Sequence, residues 1–218
     1  QVTPNAWKWP PLWPYTPDYF DRADEQDDEL AYQEPRMNAF LTAEAKEATV
    51  EHYKRFLMPG TDILELGASV DSYLPEGVEF NRVVGVGMNL EEMEANPALS
   101  GGRIVQNINK NGALPFESDS FDFVLLPNFL QYLSDPRFLM REVYRVLKPK
   151  GLCMVPFTSK GAYKDLEKKE IKMWKTMNDA QHMWIIGSFF KFSANAGWDD
   201  LKGYDMSPKD TNIISGLV

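Results

Sequence analysis

Five short apolar runs along the chain predict five β-strands. Patterns typical of α-helices lie between them, and strands that alternate with helices form βαβ units around a mainly parallel sheet. We expect residues 63–66, 83–86 and 123–126 to be neighbouring, buried strands. The ligand of such a sheet lies beyond the carboxyl ends of its strands. The five predicted strands are residues 62–66, 82–86, 102–106, 121–126 and 152–157.

Three helices are predicted from capping residues and from the spacing of apolar positions. Their first residues follow Thr42, Asn89 and Asp135. Glu92 stands three residues after Asn89, as in a capping box. The first two helices are predicted to end at Pro59-Gly60 and Asn96-Pro97. The residues expected on the buried faces of the first and third helices are Val50, Tyr53, Leu57, Leu139, Val143 and Val146.

Residues 1–35 differ in composition from the rest, and we interpret them as an extended arm in front of a domain of residues 36–218. The prolines of the arm oppose helix and favour extended backbone. Its aromatic residues are unusual for a disordered tail, so we expect residues 7–20 to pack on the domain or on a partner protein. The acidic run of residues 18–29 is predicted to be a solvated face. The aromatic residues are Trp7, Trp9, Trp13, Tyr15, Tyr19 and Phe20.

The charge and the rare residue types exclude several classes of function. A net charge of -9 and a pI near 4.8 argue against nucleic acid as a partner, because the chain has no overall positive field. With His52 and His182 as its only histidines, we expect no metal site. Cys153 lies in an apolar run and is expected to be buried. No apolar run is long enough to span a bilayer, and the start at Gln1 suggests a trimmed targeting segment.

Four lysines at intervals of four residues predict a basic stripe along a helix. Such a stripe suits an anionic membrane surface or an acidic partner. The alternative is a solvated face, on which the lysines pair with Asp165, Glu167 and Glu170. The four residues are Lys160, Lys164, Lys168 and Lys172.

Three segments, taken in order, carry a family resemblance. They are ILELGAS at 63–69, VVGVGMN at 83–89, and the stretch that begins LPFESDSFDF at 114 and ends RVLKPKG at 151. This set resembles the type 11 group of class I S-adenosylmethionine (SAM) dependent methyltransferases. The resemblance implies an α/β fold of the Rossmann-like class, with helices on both faces of the sheet. In that group the turn before the fifth strand has a glycine where this chain has Lys150.

A narrower resemblance is to an uncharacterised methyltransferase-like family of cyanobacteria and plastid-bearing eukaryotes. It rests on FDRADE at 20–25, Pro35-Arg36, VVGVGMN and HMWIIG at 182–187. It implies a chloroplast location for the protein, with the cytoplasm as the alternative.

The resemblance implies SAM as the cofactor and assigns residues to its amino-acid tail. Glu65, at the end of the first strand, is expected to orient the ammonium group of the tail. Gly67 belongs to the loop that lets the backbone approach the tail closely. In the same loop Ser69 stands where a second glycine is usual.

The residues implied for the ribose and the adenine depart from the family pattern. Gly87 stands where a carboxylate normally accepts both ribose hydroxyls, and Asn107 stands where an aspartate normally accepts from the adenine amino group. The nearest substitutes for the ribose carboxylate are Asn89 and Glu91 or Glu92. We therefore predict weak SAM binding, which Gly87→Asp would tighten if the pocket is otherwise open. The expected cofactor residues are Glu65, Gly67, Ser69, Gly87, Met88, Asn89 and Asn107.

No residue in the sequence stands out as a catalytic base. Tyr132 and His182 are the candidates, and Asn128 and Gln131 also follow the fourth strand. Two functions therefore stay open. One is a methyltransferase that acts on a small-molecule or lipid-like acceptor, and the other is a catalytically degenerate fold that serves as a binding or structural subunit of a larger assembly, in a plastid if the narrower resemblance holds.

Overall fold

The computed structural model describes residues 7–158, 164–195 and 197–207, and the backbone of residues 215–217. Its centre is a five-stranded parallel sheet with the strand order β3-β2-β1-β4-β5. A separate antiparallel pair is formed by β6 and β7. The strands are β1 (Asp62–Leu66), β2 (Arg82–Gly87), β3 (Gly102–Val105), β4 (Phe121–Leu125), β5 (Leu147–Met154), β6 (Gly203–Tyr204) and β7 (Ser215–Leu217).

The central strand β1 lies between β2 and β4, as the sequence predicts. Ile63 pairs with Val83 on one side and with Phe123 on the other. Alternate residues of these strands enter two separate apolar cores, one on each face of the sheet. Leu64 belongs to one core and Ile63 to the other, and both are fully buried. The Rossmann-like α/β architecture is therefore confirmed.

The helices begin where their caps predict. Thr42 accepts a hydrogen bond from the backbone N–H of Ala45, and Asp135 accepts one from that of Phe138. Leu139, Val143 and Val146 are buried, as expected. The helices are α1 (Asp28–Ala31), α2 (Ala43–Tyr53), α3 (Leu90–Glu94), α4 (Pro136–Val146), α5 (Lys172–Thr176) and α6 (Asp179–Lys191).

Two helices end earlier than predicted. After Tyr53 the backbone tightens into turns in which Arg55 and Phe56 donate to carbonyls only three residues back. The helix α3 ends at Glu94. Two residues later the side-chain amide of Asn96 donates to the carbonyl of Ser69 at 2.9 Å, and this bond to the loop after β1 holds residue 96 outside the helix. The strand β5 in turn starts five residues earlier than predicted, since Leu147 already pairs with Phe121.

The arm packs on its own domain. The Trp13 ring lies 5.7 Å from that of Phe192, and the Trp9 ring lies 5.3 Å from that of Trp184 on α6. Gly187 leaves room for the first two tryptophans of the arm, since a Cβ at that position would lie 2.5 Å from the Trp7 ring and 3.2 Å from the Trp9 ring. The aromatic side chains thus have partners within the chain.

The prediction of a single lysine-rich helix is wrong. Lys160 lies outside the described residues, residues 164–169 form a 3-10 helix, and α5 begins only at Lys172. Between the two helices the backbone N–H of Ile171 donates to the carbonyl of Gln131 at 2.9 Å. This bond interrupts the helix, so Lys164, Lys168 and Lys172 do not form one helical stripe.

Lys150 adopts a left-handed backbone conformation, with φ 69°. An L side chain makes this conformation unfavourable, whereas glycine adopts it freely. Lys150 is exposed and occupies the position where the family has glycine. We expect Lys150→Gly to raise the free energy of unfolding by roughly 0.5–1 kcal/mol, measured by urea denaturation.

The matched control for this prediction is Lys150→Ala. It removes the charged side chain but keeps the Cβ that causes the strain, so the free energy of unfolding should change little. Equal effects of the alanine and glycine variants would contradict the conformational explanation.

Candidate functional site

A cleft opens at the carboxyl ends of β1, β2 and β4. It encloses about 1000 Å³, including the open solvent at its mouth. It is lined by most of the residues that the sequence assigns to the cofactor, and by both Asn128 and Tyr132. Asn89, Gln131 and His182 are not among the lining residues. The expected residues that line it are Glu65, Gly67, Ser69, Gly87, Met88, Asn107 and Tyr132.

Glu65 presents a buried carboxyl group to the cleft from the end of β1. Only 2% of the residue is exposed, and burial raises its pKa from 4.5 to about 7. A hydrogen bond with Ser72 lowers this pKa in part, while the charge of Asp71 raises it. A cationic group bound beside Glu65 would favour its charged form.

The loop after β1 turns at Gly67, whose φ is 77°. The ring of Phe129 lies directly on this glycine, since a Cβ at residue 67 would lie 2.7 Å from Phe129 Cδ2. Gly67 thus admits a close approach. The group that approaches it here is an aromatic side chain of the chain itself.

Gly87 lies at the end of β2 and in contact with the same loop. A Cβ at residue 87 would overlap the carbonyl oxygen of Ala68 and would lie 3.0 Å from Met93 Sδ. The open pocket that Gly87→Asp requires is therefore missing. The condition attached to the prediction that this substitution tightens SAM binding is not met, because the aspartate would displace backbone before it reached a ligand.

Glu92 extends its carboxylate into the cleft wall from α3. It is 6% exposed. One of its oxygens accepts a hydrogen bond from the Ser69 hydroxyl at 2.6 Å, and the other accepts from the backbone N–H of Arg36 at 2.7 Å. Of the substitutes proposed for the carboxylate missing at Gly87, Glu92 is the one that lines the cleft.

The two asparagines assigned to the cofactor are held by backbone groups. Asn89 caps α3 and also donates to the carbonyl of Tyr32 at 3.0 Å. The side-chain oxygen of Asn107 accepts from the backbone N–H of Asn109 at 3.0 Å, which stabilises a turn after β3. Both side chains therefore have local structural roles.

Two buried donors face the cleft from the segment after β4. The oxygen of the Asn128 amide accepts from the backbone N–H and the hydroxyl of Thr158, at 2.8 and 3.1 Å. The Asn128 nitrogen and the Tyr132 hydroxyl have no hydrogen-bond partner among the described residues. Burial raises the pKa of Tyr132 well above its usual value, so its hydroxyl stays a donor. A ligand that offers oxygen acceptors would satisfy both groups.

His182 has a structural environment. It is 3% exposed, its ring stacks on that of Trp174 at 3.8 Å, and its Nε2 lies 2.8 Å from the Trp174 carbonyl oxygen. Burial lowers its pKa. These contacts give His182 a packing role, and it is not among the residues that line the cleft.

A buried charge cluster closes one side of the cleft. The sequence did not predict this cluster. Nη1 of Arg22 donates to both Asp28 oxygens, at 2.7 and 2.9 Å, and Asn109 donates to Asp28 at 2.8 Å. Lys169 is 2% exposed and donates to the carbonyl of Gln26 at 2.6 Å. The solvated face predicted for residues 18–29 is therefore wrong at Asp28.

The described residues contain no group of three or more His, Cys, Asp or Glu side chains placed to hold a metal ion. Within the same residues, no helix has the length and apolar character needed to cross a membrane. Cys153 is a free, buried thiol in β5, as expected.

Comparison with known proteins agrees with this geometry. Residues 64–155 match the family described as "Methyltransferase domain". An uncharacterized methyltransferase of Mycobacterium sp. (strain JLS) is 33% identical over 104 residues, which are 45% of this chain and 39% of the relative. Residues 64–155 are thus similar to methyltransferase domains, in keeping with the resemblance to class I SAM-dependent methyltransferases.

A demethylmenaquinone methyltransferase of Listeria monocytogenes serotype 4a (strain HCC23) is 34% identical to the chain over 105 residues. The match covers 48% of this chain and 39% of the relative. The chain thus spans less than half the length of the curated relatives that it matches.

Solved structures share the methyltransferase fold at low sequence identity. Phosphoethanolamine N-methyltransferase 2 of Haemonchus contortus, solved in complex with SAM, has a TM-score of 0.54 and 18% identity, covering 75% of this chain and 39% of its own. A Bordetella parapertussis protein described as a possible exported protein has a TM-score of 0.56 and 16% identity, covering 80% and 66%.

Glu65 predicts a specific dependence of stability on pH. Its pKa is about 7 in the folded protein and 4.5 as its usual value. Between these values the folded state holds a proton that the unfolded state has released, so the Glu65 contribution falls as pH rises. We expect Glu65→Gln to gain up to about 3 kcal/mol in free energy of unfolding, relative to the unsubstituted protein, between pH 4.5 and pH 8.

Urea denaturation across this pH range measures that difference. The control is Glu91→Gln, which makes the same chemical change at an exposed position. A difference for Glu65→Gln that stays constant with pH would show that the buried carboxyl does not retain its proton.

Proposed function

We propose that the chain is a SAM-dependent methyltransferase that acts on a small-molecule or lipid-like acceptor. The observation that carries the proposal is the cleft at the carboxyl ends of β1, β2 and β4, with the buried carboxyl of Glu65 at its base.

The residues of the cleft fit SAM at its charged end. SAM carries an ammonium group and a sulfonium, and Glu65 offers a carboxylate to a cation. Gly67 permits close approach of the backbone, but the Phe129 ring covers it. Binding therefore requires Phe129 to rotate, and the free energy of that rotation reduces the apparent affinity. This supports weakened binding of SAM rather than its loss.

The acceptor side of the cleft combines apolar walls with two donors. Phe40, Leu133 and Leu166 line it beside Asn128 and Tyr132. Bound SAM would supply an electrophilic methyl group, while these side chains exclude water and orient an oxygen-bearing acceptor. Tyr132 stays protonated, so the acceptor enters with a reactive nucleophile of its own. The name of the Listeria relative is in keeping with a lipid-like acceptor.

A second candidate is a non-catalytic binding or structural subunit, in a plastid assembly if the narrower resemblance holds. The contact between Phe129 and Gly67 favours it, because that contact fills the space beside the glycine. A variant that lacks the Phe129 ring distinguishes the two candidate functions.

Calorimetric titration with SAM and S-adenosylhomocysteine tests the proposal. We expect saturable binding to the unsubstituted protein with a Kd of about 1 µM to 1 mM, the span of typical enzyme KM values. Phe129→Ala should lower the Kd several-fold, because no ring has to leave Gly67. The control is Phe138→Ala, which removes a half-exposed ring of α4. The lack of saturable binding to both the unsubstituted protein and Phe129→Ala would favour the non-catalytic subunit.

A further inference from the structure

The end of β2 has no acceptor for a ribose. Gly87 carries no side chain, and the carbonyl oxygen of Ala68 occupies the space that a Cβ would need. A ribose diol bound in a buried cleft leaves two hydroxyl donors that need partners. If SAM binds here, another residue accepts those bonds.

Glu92 lies at the adjoining part of the wall. It follows β2 by five residues, in the first turn of α3, and its neighbour Met93 contacts the position where a Cβ of Gly87 would lie. Its carboxylate is bound to Ser69, the residue after Ala68. Glu92 is thus held against the same loop that excludes a side chain at Gly87.

The carboxylate of Glu92 has unused capacity as an acceptor. Its two hydrogen bonds come from neutral donors, the Ser69 hydroxyl and the Arg36 backbone N–H. None of the ion pairs found among the described residues includes Glu92. A carboxylate has about four lone-pair sites, so two remain. A buried carboxylate without a cation gains from every further donor.

The other acidic side chains of the cleft have different partners. Asp28 pairs with Arg22 at 2.7 Å, and Asp71 pairs with Lys46 at 2.7 Å. Glu65 lies at the end of β1, on the side expected for the ammonium group. Glu92 is the remaining carboxylate among the described lining residues.

We infer that Glu92 accepts the hydrogen bonds of the ribose hydroxyls of SAM, so that the ribose acceptor has moved from the end of β2 to the first turn of α3. This inference rests on the proposed function. The same carboxylate also holds Arg36 and Ser69, so the bound ribose would connect the segment before α2 with the loop after β1.

The test compares S-adenosylhomocysteine with its 2′-deoxy and 3′-deoxy analogues by calorimetry. In the unsubstituted protein each analogue should bind roughly tenfold to a hundredfold more weakly, because a hydrogen bond to a charged acceptor is lost. In Glu92→Gln the parent ligand should weaken by a similar factor, and the deoxy analogues should lose less than about threefold relative to it. Glu91→Gln, the exposed glutamate of the same turn, should behave as the unsubstituted protein does.

Each result decides the matter. An equal deoxy penalty in the unsubstituted protein and Glu92→Gln, or no penalty in the unsubstituted protein, would overturn the role of Glu92 and leave the proposed function intact. Failure of the unsubstituted protein to bind S-adenosylhomocysteine at millimolar concentration would overturn both. Circular dichroism shows whether Glu92→Gln folds; if it does not, Glu92→Asp, which keeps the charge but shortens the reach, should reduce the deoxy penalty in the same direction.

Discussion

The carbonyl oxygen of Ala68 packs against the α-carbon of Gly87, and the arrangement of the cleft follows from that contact. Because no side chain fits at residue 87, the loop after β1 approaches the end of β2 more closely than a carboxylate there would allow. This approach brings Ser69 within hydrogen-bond distance of Glu92 and places the Glu92 carboxylate in the cleft wall. This one close backbone contact thereby excludes a carboxylate at residue 87 and positions the carboxylate of Glu92.

The segment before α2 completes the cleft through buried polar contacts. Arg22, Asp28 and Lys169 form a charge cluster in which each member is less than a tenth exposed. Breaking such a cluster by removing one partner leaves an uncompensated buried charge, which costs several kcal/mol. The backbone of Arg36 is held in turn by Glu92. Hydrogen bonds therefore join the cleft to the segment before α2.

The sheet was predictable because its signals are local. Each buried strand is a short apolar run, and Thr42, Asn89 and Asp135 cap helices through residues three positions away. Glu65 and Gly67 lie in and just after the end of a predicted strand, and the family resemblance assigned them to the cofactor. The ends of α2 and α3 were not predictable, since they depend on turn hydrogen bonds and on the distant Ser69 carbonyl.

The remaining site residues depend on contacts between distant parts of the chain. Asp28 is buried only because Arg22 and Lys169 meet it, and Lys169 is more than a hundred residues away in the sequence. A run of acidic residues gives no sign of such a partner. Whether Gly87 opens a pocket likewise depends on the path of the loop at Ala68.

A crystal structure of the protein with S-adenosylhomocysteine tests the account most directly. We predict that the ribose hydroxyls lie within about 3 Å of the Glu92 carboxylate, with Phe129 rotated away from Gly67. A ribose held elsewhere in the cleft, with Glu92 bound only to Ser69 and Arg36, would contradict it.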